Sequence, residues 1–225
     1  MKKIAIAIDG PAGSGKSTIA KTIAKELSII YVDTGAMYRA VAYDCLAKEV
    51  SLGDEEAVVA VLEQMDLQIK LVDGEQRIYL YGVDVTKDIR TQKVGQGASD
   101  VAKIQKVRQT LGDMQRDMAK EHSLVMDGRD IGTCILPEAE VKIYLDAKAE
   151  KRAERRVGEL IQKGETPNLD VVLQEVILRD TEDMNRKHNP LRQAEDAIYV
   201  DTTDMNIEEA VAAILQITKD KVGGM

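Results

Sequence analysis

Three observations predict an α/β fold built on a parallel sheet. Five short apolar runs, at 4–8, 29–32, 123–126, 141–145 and 197–200, are separated by stretches with helical periodicity. The first run, Ile4-Ala5-Ile6-Ala7-Ile8, is apolar at every position, as a parallel strand buried on both faces should be. That run leads through Gly10-Pro11-Ala12-Gly13-Ser14-Gly15-Lys16-Ser17, a full match to G-x-x-x-x-G-K-[ST], into a helix. At 225 residues the chain is one generous domain, or a core with a modest insert.

The first helix shows Ile19, Ile23 and Leu27 every fourth residue, with Ala20 and Ala24 beside them. Strand, glycine loop and helix N-terminus in that order bring backbone N–H groups together on a phosphate. The pattern therefore predicts nucleoside triphosphate binding by residues 10–17 and the adjoining Thr18. Lys16 would reach the β/γ phosphates and the Ser17 hydroxyl would hold Mg²⁺. The plainer reading, a glycine turn opening a helix, leaves the Lys-Ser ending without a purpose. The fold class is the P-loop three-layer αβα arrangement.

After the second strand comes Asp33-Thr34-Gly35-Ala36-Met37-Tyr38-Arg39. Thr34 would cap a helix beginning near Ala36, with Arg39 one turn inside. Alternation is then interrupted. Leu67, Ile69 and Leu71 alternate with polar residues, Asp73-Gly74 makes a turn, Ile78 and Leu80 alternate again, and Gly82 turns the chain before Val83 and Val85. This is a small antiparallel insert.

The third strand ends in Asp127, placed to assist Mg²⁺ through bound water, and continues into Gly128-Arg129-Asp130; the alternative is an Asp-Gly turn with a local ion pair. Past the fourth strand, Arg152, Arg155 and Arg156 crowd one helix face with only Glu154 and Glu159 to compensate. Like charges at that spacing repel unless an anion meets them, so the face is either a lid over phosphates or a solvated basic surface. After Asn168, Arg179, Asp183 and Arg186 fall at i, i+4 and i+7 and share a helix face, as a site or as a surface pair. A last helix at 207–221 packs Val211, Ile214, Leu215 and Thr218 on the core, before a frayed Gly223-Gly224-Met225.

Composition removes several classes of function. A net charge of −8 disfavours a nucleic-acid backbone or an anionic membrane as partner. Phe and Trp are absent, which disfavours stacking platforms for single strands. Cys45 and Cys134 are too few for a disulfide framework, have no metal-ligand spacing and read as small buried hydrophobes. No signal peptide and no apolar stretch of membrane-spanning length is evident, so the expected location is the cytoplasm. Asn-Lys-x-Asp and Leu-Ser-Gly-Gly-Gln, which would mark a GTPase or a transporter ATPase, are missing.

Taken together, the P-loop, Asp33 to Arg39, Gly128-Arg129-Asp130-Ile131-Gly132-Thr133, Arg179-Asp180 with Asp183 and Asn185-Arg186, and Tyr199-Val200-Asp201-Thr202 resemble the bacterial cytidylate kinase family of nucleoside monophosphate kinases. The resemblance implies a P-loop core of 1–35 with 100–150 and 190–225. It implies a monophosphate-binding region at 36–99, including the β insert at about 66–86, and a helical lid at 151–189. The implied reaction is Mg-assisted transfer from ATP to CMP or dCMP. Ser99, Arg108 and Asp130 would read cytosine; Thr34, Arg39 and Arg129 would hold the acceptor phosphate. Arg179 would touch phosphate and ribose, with Asp183 and Arg186 at the ribose. Lys16, Arg129, Arg152, Arg155 and Arg156 would stabilise the transferring phosphoryl group, and Asp33, like Asp127, would reach Mg²⁺ through water. Partners are then CMP, dCMP and ATP, with no nucleic acid, no membrane and a monomeric chain. One departure stands out: Gln105 occupies a position where related sequences often carry proline, which bears on the aim of Arg108. Two other readings remain, a P-loop kinase of another small acceptor (a different monophosphate or shikimate) and a nucleotide-dependent switch.

Overall fold

The computed structural model describes residues 3–72, 75–162 and 164–223. The chain divides into two compact units, residues 1–29 with 123–225 and residues 30–122.

In the first unit, β1 (Ala5–Asp9), β6 (Leu124–Gly128), β7 (Val141–Asp146) and β8 (Ile198–Asp201) lie parallel in the order β6-β1-β7-β8. The register pairs Ala5 with Leu124, Ile6 with Val141 and Ile143 with Ile198. Ile6, Ile8, Ile143 and Leu145 are fully buried, as an apolar run covered on both faces requires. These strands reach one or two residues past their apolar runs. Asp9 stays in the ladder opposite Gly128 and Tyr144, and Asp146 opposite Asp201. Carboxylates thus close several strands at their C-terminal edge, where open α/β sheets bind ligands.

Helix α1 (Lys16–Glu26) packs on β6, α8 (Ile207–Val222) packs on β7, and the two helices touch. The start of α8 is fixed by a capping box: Asn206 accepts from Glu209 N and the Glu209 carboxylate accepts from Asn206 N. Gly223, read as part of a frayed tail, is the left-handed C-cap of α8; Gly224 and Met225 lie outside the described residues. Helices α6 (Ala149–Gln162) and α7 (Leu169–Asn185) pair through Ala153, Leu160 and Val172.

The second unit opens with β2 (Ile30–Asp33) and α2 (Thr34–Ala47), followed by α3 (Glu55–Glu63). The antiparallel insert forms as expected, from β3 (Leu67–Val72), β4 (Glu75–Leu80) and β5 (Val83–Asp84). The Asp73-Gly74 turn lies outside the described residues. Tyr81 and Gly82 both take positive φ, the conformation a two-residue hairpin turn requires. Ile78 and Leu80 enter the same core as Met37 and Val41 of α2, so the insert is fastened to α2 by burial. A short 3₁₀ turn, Asp88–Arg90, precedes α4 (Gln92–Val101) and α5 (Gln105–Glu121).

This second unit is longer at both ends than the 36–99 region inferred from the sequence. Val101, Ile104, Val107 and Leu111 join its core, which draws residues 100–122 into it. Residues 151–189, expected to form a helical lid, group with the first unit.

Candidate active site

Gly10 must be glycine: its φ is +151°, and a Cβ there would collide with the Leu145 carbonyl. The loop ends in Gly15, the left-handed N-cap of α1. Lys16, the first residue of α1, is only 5% exposed, and its ammonium donates to the Pro11 carbonyl at 2.5 Å and to Ser14 Oγ at 3.1 Å. Burial first, and the nearby Arg129 second, hold its pKa well below the usual lysine range. A phosphate oxygen is a stronger partner for an ammonium than a neutral carbonyl, so this contact is exchangeable.

Ser17 Oγ donates to Asp127 Oδ2 at 2.9 Å. A hydroxyl and a buried carboxylate thus meet at the mouth of the loop, and such oxygen donors suit Mg²⁺. Arg129, two residues on, donates from Nε to Asp183 Oδ2 at 2.7 Å. Burial alone would raise the Asp183 pKa, but Arg129 and then Arg186 overcome it and hold the carboxyl below its ordinary value. Asp130 is buried and accepts from Asn189 Nδ2 at 3.1 Å.

Lys16, Ser17, Asp127, Arg129, Arg155 and Arg179 line a cleft of about 830 Å³, whose far wall is formed by Thr202 and the start of α8. Arg155 is fixed there by Thr202, donating to its carbonyl at 2.5 Å and its hydroxyl at 3.3 Å.

Several of the expected site residues are placed differently in the folded chain. Arg152 is not displayed on a lid surface. It is 5% exposed, and its guanidinium donates to the carbonyls of Ala147 (2.8 Å) and Ala12 (2.9 Å) and pairs with Asp180 at 2.5 Å. It braces the P-loop from behind. Arg156 makes an exposed i,i+3 pair with Glu159 at 3.0 Å and does not line the cleft. Arg186 leaves the helix face it was expected to share, because α7 ends at Asn185 and Arg186 is its extended C-cap. It still approaches Asp183 Oδ1, at 3.5 Å.

In the second unit the cap of α2 is Asp33, one residue before the expected Thr34: Asp33 Oδ1 accepts from Ala36 N at 2.9 Å. Asp33 Oδ2 is shared by Arg39 at 2.8 Å and Arg90 at 2.9 Å. Both of its carboxylate oxygens thus accept from N–H donors within the second unit. Burial would raise its pKa, but Arg39 and then Arg90 hold it below the usual carboxylate range. Thr34 is buried at the start of α2, and Ser99 is half-buried on α4. Arg108 is buried on α5, donates to the Ala102 carbonyl at 3.2 Å and lies 5.6 Å from the centre of the Tyr38 ring. Gln105 occupies the first turn of α5, where proline's missing N–H would also be tolerated, so the helix starts there without it.

Asp9, Arg90 and Asn189 join these residues without having been expected among them. Asp9 carries a readable signal, an acid closing an all-apolar strand. Arg90 and Asn189 carry none, because only folding brings them to Asp33 and Asp130.

A parallel sheet with this loop at its C-terminal edge, and a cleft lined by a lysine, arginines and a serine–aspartate pair, defines a P-loop phosphotransferase. The fold recurs in a solved structure of an uncharacterized protein from Eubacterium ventriosum, 15% identical, with TM-score 0.54 over 97% of this chain and 99% of that one. A cytidylate kinase family profile matches residues 6–220. The cytidylate kinase of Caldicellulosiruptor bescii is 52% identical over 217 residues, 96% of each chain, and that of Bacillus subtilis 44% over 220 residues, 98% of each. The chain belongs to the cytidylate kinase family, and is thus a nucleoside monophosphate kinase. Among the described residues, no helix is long and apolar enough to cross a membrane.

Proposed function

We propose that this chain transfers the γ-phosphoryl group of ATP to CMP and dCMP, releasing ADP and CDP or dCDP, as a monomeric cytoplasmic enzyme that uses neither nucleic acid nor membrane. The observation that carries the reading is the cleft of the first unit, where cationic side chains gather on the P-loop of a chain with net charge −8. Such a local reversal of charge suits a polyanionic substrate.

An acceptor phosphate oxygen attacks the γ phosphorus as the bond to the β-bridging oxygen breaks, and the electron pair leaves with ADP. The attacking oxygen is already anionic near neutral pH, so no general base is required. What remains is alignment and neutralisation of charge. Residues 10–18 wrap the donor phosphates and Lys16 exchanges its carbonyl partner for them. Arg129, Arg155 and Arg179 offer forked donors to phosphate oxygens. Arg152 contributes indirectly, by holding the Ala12 carbonyl and so the shape of the loop. Ser17, with Asp127 beside it, would hold Mg²⁺, which supplies charge neutralisation when bound. In the second unit, Thr34 and Arg39 hold the acceptor phosphate while Ser99 and Arg108 address the base. Asp130 accepts from the cytosine amine; Asp183 and Arg186 serve the ribose.

Coupled ADP release with Mg-ATP and CMP, dCMP, UMP, AMP or GMP tests this. CMP and dCMP should be preferred. Equal turnover of all five, or turnover without any acceptor, would overturn it.

A further inference from the structure

We propose that Arg90, on the 3₁₀ turn after the β insert, is a second guanidinium for the acceptor phosphate, working beside Arg39. The proposal rests on the reading that Arg39 holds that phosphate.

One carboxylate oxygen, Asp33 Oδ2, receives Arg39 Nη2 at 2.8 Å and Arg90 Nη2 at 2.9 Å. Two donors on a single oxygen lie within the span of one phosphate group. Among the described residues, one carboxylate pairs with the two guanidiniums, which leaves a net positive charge, and the N-terminus of α2 adds to it. The two arginines differ in access: the side chain of Arg90 is 51% exposed and that of Arg39 19%. Arg39 Nε is buried and has no hydrogen-bond partner among the described residues, so the cluster has donor capacity beyond what Asp33 uses.

The position of Arg90 is built rather than incidental. Its neighbour Ile89 is fully buried in the unit's core. Arg90 N donates to the Lys87 carbonyl at 3.1 Å, and Thr91, next in sequence, caps α4 by accepting from Val94 N at 3.3 Å. Asp33 is held from the other side by the insert: Gln76 accepts from Asp33 N at 2.6 Å and donates to its carbonyl at 3.3 Å. Gly35 keeps the space open, since a Cβ there would sit 3.1 Å from Arg39 Nη1 and 3.2 Å from Asp33 Oδ1. Asp33 therefore holds both forks in register, and an incoming dianion draws on both. Arginine is required because its paired donors can address two oxygens at once.

The test separates the phosphate from the rest of the nucleotide. R90A, R90Q, R90K and R39A are prepared as full chains; calorimetry gives the Kd for CMP, and inhibition of CMP phosphorylation gives the Ki for cytidine. R90A and R90Q should weaken CMP about tenfold or more, leave cytidine within about twofold, and R90K should recover only part of the loss. R90Q, a neutral polar replacement, stands in should R90A fail to fold. Unchanged CMP affinity, or equal losses for CMP and cytidine, would overturn the role of Arg90. If R39A loses CMP and R90A does not, Arg90 alone is refuted. If R39A also leaves CMP untouched, the underlying acceptor reading falls.

Discussion

Replacing Asp9 with asparagine should trade activity for stability, in proportions that depend on pH. Asp9 closes β1 just before the P-loop and is 4% exposed. Its two carboxylate oxygens accept from Ile131 N at 2.8 Å and Gly132 N at 2.7 Å, at the start of the turn that follows Arg129 and Asp130. The carboxylate thus ties the strand that leads into the P-loop to the turn that follows Arg129 and Asp130. Asparagine would present an NH₂ group to one of those N–H donors, so one charge-assisted hydrogen bond, about 1.5–3 kcal/mol, is lost. The turn must then shift, and small misplacements near reacting groups cost up to about a hundredfold in rate.

Stability moves the other way. Burial, opposed by the two backbone donors and by Lys16 and reinforced by Asp130, raises the Asp9 pKa from 3.8 to about 7. The folded state therefore holds this proton more tightly than the unfolded chain. The associated stability is complete below pH 3.8 and is lost as pH rises through about 7. About three pH units at 1.36 kcal/mol each give a loss of about 4 kcal/mol, which D9N does not share. Urea unfolding of both proteins from pH 4 to 8 should show D9N gaining on the parent by about 1.4 kcal/mol per pH unit until near pH 7. At pH 8, kcat/KM for CMP should fall about tenfold to a hundredfold. A pH-independent stability difference would refute the buried-carboxylate argument. Full activity in D9N would refute the positioning argument.

K16M removes the ammonium proposed to meet the donor phosphates, so kcat should drop about 10²–10³-fold while the melting temperature holds or rises, because a buried charge is gone. R152M leaves the Asp180 carboxylate buried, and its Oδ1 already lacks a hydrogen-bond partner among the described residues, so the loss should be about 3–5 kcal/mol by denaturant unfolding. Adding D180L should restore much of that stability without restoring the brace on the Ala12 carbonyl, leaving activity impaired. D130A should lower CMP efficiency far more than UMP efficiency, since uracil places an acceptor where cytosine places its amine. Equal losses on the two nucleotides would remove Asp130 from base selection.

Much of the site was legible because its signals are local. The P-loop, the acid at the end of β6, Arg129 beside Asp130 and the arginines of α6 are all contiguous or fall at helical spacing. The antiparallel insert declared itself by alternation and by its turns. Arg152, Arg155 and Arg156 show where local signals stop. The spacing placed three arginines on one helix but could not rank them. Packing against α7 turned Arg152 inward to Asp180 and Ala12, Thr202 fixed Arg155 in the cleft, and Arg156 stayed in solvent.

The sequence by itself determined the parallel α/β class, the phosphate loop with its lysine and serine, and the antiparallel insert. Each of these depends on periodicity or on backbone conformations that a few adjacent residues impose. Only the tertiary structure decided which carboxylate neutralises which arginine: Asp33 for Arg39 and Arg90, Asp183 for Arg129, Asp180 for Arg152. Those pairings join residues up to 57 positions apart in the chain. Burial selects them, because a charge withdrawn from water must meet its counter-charge wherever the fold has carried it.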